Sequence, residues 1–81
     1  MMTEHRFDAG ERVWIFQMSH SKGLLIEGRA NIVSRVPGID EQYVVRFDNE
    51  PGETYERFVD SWGQENPEKY VRDFNKKIGK A

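Results

Sequence analysis

Up to Asp60, apolar and polar residues alternate in runs separated by clusters of glycine, proline and small polar residues. A period of two sends one row of side chains inward and the other toward water, so each run predicts a strand. Residues 12–18 are rich in β-branched and aromatic types and carry bulk on both faces, Val13 and Ile15 on one, Trp14, Phe16 and Met18 on the other. One face covers a core; the other requires a second cover, from a terminal helix, a loop or another subunit. Residues 24–36 have one small, apolar row (Leu24, Ile26, Gly28, Ala30, Ile32, Ser34, Val36) and one mostly polar row. Gly28 predicts a sharp bend or a close backbone approach, which lets a single strand serve two sides of a small barrel. Residues 19–23 and 37–40 read as connections.

The stretch 43–60 is the one around which the others are arranged. Tyr43, Val45 and Phe47 alternate with Val44, Arg46 and Asp48, Asn49-Glu50-Pro51-Gly52 breaks the run, and a second strand leads to Asp60. Pro51 presets φ and Gly52 accepts positive φ, so the pair predicts the centre of a type II turn closing a hairpin. Beyond residues 61–65 the period changes. Asn66 is a good N-cap, Pro67 suits the first helical position, and Glu68 places negative charge at the positive end of the helix dipole. Tyr70, Phe74 and Ile78, with Val71 beside them, make one apolar stripe. Glu68 with Arg72 and Asp73 with Lys77 are spaced for i,i+4 ion pairs, and Gly79 is placed to end the helix, so the spacing predicts a helix over 67–78.

Together these elements predict one mainly β domain over residues 1–81, a small antiparallel barrel or roll of four to five strands over about 7–60 with a C-terminal α-helix. Residues 1–9 read as a frayed lead-in in which Phe7 is tied down. A chain of 81 residues is near the size at which one core supplies only about 3–5 kcal/mol of net stability. Its aromatics, each able to bury about 150–250 Å², take the place of missing staples. The absence of cysteine excludes disulfides, thiolate nucleophiles and cysteine-ligated zinc. With no apolar run after residues 1–6 and no membrane-span-sized apolar stretch, a soluble, unprocessed, cytoplasmic chain is expected.

Charge refines the picture. The formal net charge is −2, but over residues 40–60 seven acids face two arginines, a local −5, whereas over 61–81 five basic residues face three acids, a local +2. The hairpin is therefore an acidic surface, suited to steering a basic partner. Lys69, Arg72, Lys76, Lys77 and Lys80 offer a basic helix for nucleic acid, but backbone binding wants a contiguous basic groove with stacking aromatics, and nucleic acid ranks below protein as a partner.

Gly10-Glu11-Arg12-Val13-Trp14, then Ile26-Glu27-Gly28-Arg29-Ala30-Asn31-Ile32, then Tyr43-Val44-Val45-Arg46-Phe47-Asp48, resemble the opening of Tudor-like members of the Src-homology-3-like barrels, over about residues 7–60. In Tudor modules that bind methylated lysine or arginine, aromatics on neighbouring strand ends form a cage, and the resemblance implies Trp14 or Phe16, Tyr43, Phe47 and Tyr55 at roughly corresponding places. The Asp-Tyr-Gly element of that pattern is replaced by Asp48-Asn49-Glu50-Pro51-Gly52. Pro51-Gly52 is also similar to the turn before the fourth strand of plasmid-borne type II dihydrofolate reductases. The Val-Gln-Ile-Tyr stretch that lines the reductase pore does not follow; Thr54-Tyr55-Glu56-Arg57 stands there.

No P-loop, dinucleotide fingerprint or nucleophile elbow occurs, Glu53 and Glu56 lie on an acidic turn without the burial that tunes an acid or base, and His5 and His20 lack a third ligand. No catalytic, cofactor-binding or metal residue is assigned. The expected function is a non-catalytic Tudor-like binding or adaptor module taking a protein or peptide partner, with Trp14, Phe16, Tyr43, Phe47, Glu50, Glu53, Tyr55 and Trp62 as candidate contacts. In so small a domain the same aromatics serve equally as core or subunit contact, and that structural role is the commoner one. The competing expectation is a self-associating barrel with a small-ligand pocket between subunits.

Overall fold

A computed structural model describes residues 7–80; residues 1–6 and Ala81 lie outside them, and with them His5 and most of the expected lead-in. Four strands, β1 (Arg12–Ser19), β2 (Gly23–Arg35), β3 (Gln42–Phe47) and β4 (Tyr55–Phe58), precede a 3₁₀ turn at Ser61–Gly63 and a helix, α1 (Pro67–Lys77). The strands pair antiparallel in the order β1-β2-β3-β4 and curl into a half-barrel compatible with a Src-homology-3-like fold.

The curl is written into β2. Its first part pairs with β1 and its last part with β3, and Ala30 and Asn31 pair with both. Ile15 lies opposite Gly28 but Phe16 opposite Ile26, so Glu27 is an extra residue, a bulge that bends the strand. Paired residues share a face, so the single apolar row expected along β2 is split at this bulge. Gly28, Ala30 and Ile32 face inward with Val13 and Ile15, while Leu24 and Ile26 turn to the other side with Met18 and Phe16. Gly28 also meets the expected close approach: a Cβ there would stand 3.3 Å from Phe47 Cδ1. A second irregularity between Ile32 and Ser34 ends the inward row before Ser34 and Val36.

The core is Val13, Ile15, Ala30, Ile32, Tyr43, Val45, Phe47 and Val59, with Phe7 and Tyr55 packed against it. Phe7 is held as expected; its N–H donates to the Tyr43 hydroxyl at 3.1 Å and its ring meets the Tyr43 ring edge-on.

A turn does centre on Pro51-Gly52, but the type II geometry expected there lies elsewhere. Gly38 takes the left-handed conformation, φ 80°, and Ile39 N–H bonds back to Val36 C=O, so Pro37-Gly38 occupies the type II centre between β2 and β3. The β3–β4 loop instead makes two successive turns, Glu50 N–H to Phe47 C=O and Glu53 N–H to Glu50 C=O. Reversal is shared between them, and Gly52 stays out of the left-handed region.

The helix ends are set by local chemistry. Asn66 Oδ1 accepts from Lys69 N–H at 3.2 Å and Pro67 follows it. Gly79, φ 81°, lets Lys80 N–H reach Asn75 C=O and its own N–H reach Lys76 C=O, a Schellman end. The ion pair formed is Lys69 with Asp73 at 2.6 Å rather than Asp73 with Lys77. Helical side chains lean toward the N-terminus, which carries Asp73 onto the preceding turn.

The second cover for β1 comes from this C-terminal segment. Phe16 packs on Tyr70 of α1, centroids 5.1 Å apart, while Met18 stays exposed. Two amide side chains fasten the segment to the sheet. Gln64 Oε1 accepts from Trp14 N–H at 2.6 Å, and its Nε2 donates to Trp14 C=O and to Asp60 C=O. Asn75 does the same to Leu24, accepting from its N–H at 2.7 Å and donating to its C=O at 3.0 Å. Each amide imitates one residue of a neighbouring strand, so backbone groups at the margin of the sheet are paired without a fifth strand.

Candidate functional site

Two clefts gather most of the chemistry-bearing side chains. The first, about 250 Å³, lies at the base of the β3–β4 hairpin and is lined by Glu27, Phe47, Asn49, Glu50, Tyr55 and Arg57. The bulge aims Glu27 here, where it accepts from Arg57 Nε and Nη2 at 2.9 and 3.0 Å, a two-point bond of the kind a planar guanidinium favours. The same guanidinium lies 5.0 Å from the Tyr55 ring centre and 5.8 Å from that of Phe47, and donates to Glu56 C=O. Phe47 and Tyr55 meet edge to face. The arrangement has the parts of a cation cage, two aromatic faces and a carboxylate, and the cation within it is the chain's own Arg57.

Titration follows from these bonds. Glu27 raises the Arg57 pKa further above its ordinary value, and the Glu50 carboxylate, accepting from the Tyr55 hydroxyl at 2.5 Å, raises that of Tyr55. On the outer face Arg12 donates to both oxygens of Asp48 and holds its carboxyl below the usual range.

The second cleft, about 340 Å³, runs along one flank of α1 and is lined by Trp62, Glu65, Asn66, Lys69, Tyr70, Asp73, Phe74 and Lys77. Trp62 projects from the 3₁₀ turn with 81% of its surface exposed. Its backbone is fixed: Asp60 accepts from Trp62 N–H at 2.8 Å and, through its other oxygen, from the Tyr70 hydroxyl. Burial and that bond push the Tyr70 pKa up to about 12. Between pH 10 and about 12 the folded chain therefore keeps a proton that the unfolded chain has lost. The resulting stability is present below pH 10 and drains away as pH rises through the folded value. Phenolate absorbance in an alkaline titration is expected to lose its latest component in Tyr70→Phe, whose stability is the flatter of the two across that range.

The sequence-based candidates scatter over this geometry. Phe47, Glu50 and Tyr55 come together in the hairpin cleft, although Phe47 is itself a buried core residue. Glu53 is exposed on the second turn of the loop. Tyr43 is in the core, 2% exposed. Phe16 is half-buried beneath Tyr70, and Trp14 is half-buried under the Arg29 guanidinium, 4.7 Å from its ring centre, away from both clefts. Trp62 belongs to the helix cleft. Arg57 pairs with Glu27 rather than with an acid of its own hairpin because the bulge places a carboxylate on the inner face, and Asp48 goes to Arg12. Sequence reading assigned no role to Glu27, Gln64 or Asn75, each of which acts on a partner at least thirty residues away. Glu27 carried one signal, a charged residue beside the glycine that marked the bend.

No helix among the described residues is long and apolar enough to cross a membrane. Comparison of the chain with protein-family models, with curated proteins and with solved structures finds no match.

Proposed function

We propose that the chain is a non-catalytic, Tudor-like interaction module that takes an extended basic segment of a partner protein along the acidic β3–β4 hairpin. The observation that carries this reading is the outer edge of β4. Val59 N–H bonds to Glu41 C=O, so by antiparallel alternation Arg57 and Tyr55 also bond toward β3, and the backbone groups of Glu56 and Phe58 point away from the sheet. Phe58 is 65% exposed there. Asp40, Glu41, Glu50, Glu53 and Glu56 are all exposed on this hairpin or at its approaches. Among the described residues, no hydrogen bond engages the side-chain carboxylate of Glu53 or Glu56; the Glu56 backbone carbonyl accepts from Arg57.

An added strand would gain main-chain hydrogen bonds from the Glu56 N–H and the Phe58 backbone groups, the Glu56 C=O being held by Arg57, together with apolar contact from Phe58 and charge complementarity from the acids. The internal Arg57 is consistent with the preference for cations, but its place in the Phe47/Tyr55 cleft is taken, so the partner's basic residues meet the acids on the rim. The test is fluorescence anisotropy with an alternating Lys/Val peptide as probe. Glu53→Lys with Glu56→Lys is expected to weaken binding about tenfold, and a peptide with proline at alternate positions, lacking main-chain donors, to bind weakly. A double variant that binds the probe as tightly as the native chain ends this reading.

A further inference from the structure

The helix cleft is unexplained by a partner on β4, and it carries an independent pattern. Trp62 exposes an indole on a backbone fixed by Asp60, with Gly63 wedged against Phe16 and Tyr70 and Gln64 bound to Trp14. A large aromatic on a preorganised support loses little freedom when covered, which is the usual property of an interface hot spot. The floor beside it is Tyr70 and Phe74, with the exposed Ile78 one turn on.

The charges that frame this floor say what covers it. Glu65, Lys69, Asp73 and Lys77 follow one another at intervals of four and all line the same cleft. A second copy laid antiparallel, with a two-fold axis midway between Lys69 and Asp73, sets Glu65 against Lys77 and Lys69 against Asp73 on both sides. Sliding by one turn in one direction sets Glu65 against Asp73 and Lys69 against itself. Sliding in the other sets Lys69 against Lys77 and Asp73 against itself. A parallel, in-register pairing opposes like charges throughout. The row thus complements itself in that antiparallel register and repels in the neighbouring ones, which is how charged flanks specify partner and register.

We propose that the chain forms an isologous homodimer through the flank of α1, in which the Trp62 of each copy closes over the Tyr70/Phe74 floor of the other. The apolar surface supplies affinity and the ion pairs fix the register, since exposed pairs alone contribute little. The dimer presents two acidic hairpins, so a partner carrying two basic segments is held by both at once.

Sedimentation equilibrium over a concentration series tests this without reference to peptide binding, so it fails or stands apart from the β4 reading. The native chain is expected to dimerise reversibly. Trp62→Ala, a change at an exposed site that leaves the far-ultraviolet spectrum intact, is expected to weaken the dimer about thirtyfold. Lys69→Glu with Lys77→Glu makes the row uniformly acidic and is expected to leave monomer. Reversing all four charges is expected to restore self-association, because the antiparallel register again sets opposite charges against one another. A native chain that is monomeric throughout overturns the proposal, as does a dimer that survives both the Trp62 and the two-lysine variants. A fourfold reversal that stays monomeric overturns the antiparallel register.

Discussion

Replacing Tyr43 with alanine is expected to abolish the folded state at ordinary temperature. Tyr43 heads the largest fully buried side chains, stands in β3 between β2 and β4, and packs its ring among Val13, Ile15, Val45 and their neighbours. Truncating a buried aromatic to alanine costs about 3–5 kcal/mol, and a domain of this size has about that much to lose. Its hydroxyl contributes separately by accepting from Phe7 N–H. Tyr43→Phe leaves that donor without its partner but keeps the ring, and is expected to lower stability by only about 1 kcal/mol. Urea unfolding of the two variants separates these roles. The contrast also tests the sequence-level assignment of Tyr43 as a contact residue. A Tyr43→Ala chain that unfolds at the native midpoint and loses only partner affinity would return the residue to the surface.

The difficulty with Tyr43 illustrates where sequence reading succeeds here and where it stops. The helix was legible from end to end because its signals act within one turn: Asn66 caps, Pro67 starts and Gly79 ends it. The strands were legible from alternation, and Gly28 marked the bend. What escaped depends on long-range pairing. Alternation says that Tyr43, Val45 and Phe47 share a face and does not say that the face is inward, whereas Trp62, outside any strand, has no period to read. Pro-Gly occurs at residues 37–38 and 51–52, and tertiary context gives the left-handed glycine to the first alone. The bulge at Glu27 redirects half of β2, and it is visible only once Ile15 is set opposite Gly28 and Phe16 opposite Ile26. Gln64 and Asn75 look like ordinary polar residues in sequence, yet each replaces a residue of a missing strand.

The same C-terminal fastening makes Gly63 the other position of large effect. Gly63 is buried where the 3₁₀ turn passes between β1 and α1. A Cβ there would stand 2.6 Å from Phe16 Cε2 and Cζ and 2.7 Å from Tyr70 Cδ2. Its backbone is outside the left-handed region, so the obstacle to alanine is space alone. Two packed rings must separate, and neither is free to do so: Phe16 is fixed by its strand, Tyr70 by its bond to Asp60. Overpacking of this kind costs about 3 kcal/mol. Gly63→Ala is therefore expected to unfold at markedly lower urea, and to release Gln64 from Trp14, seen as faster hydrogen exchange at the Trp14 amide. Gly52→Ala is the control, since nothing lies within 4 Å of the added methyl and its backbone is ordinary. It is expected to be neutral or slightly stabilising by stiffening the unfolded chain. Combining Gly63→Ala with Phe16→Leu gives the methyl room, so the pair is expected to be less destabilised than the sum of its parts. Strict additivity would mean that the two side chains do not meet, and that the turn carrying Trp62 is held to the sheet by Gln64 alone.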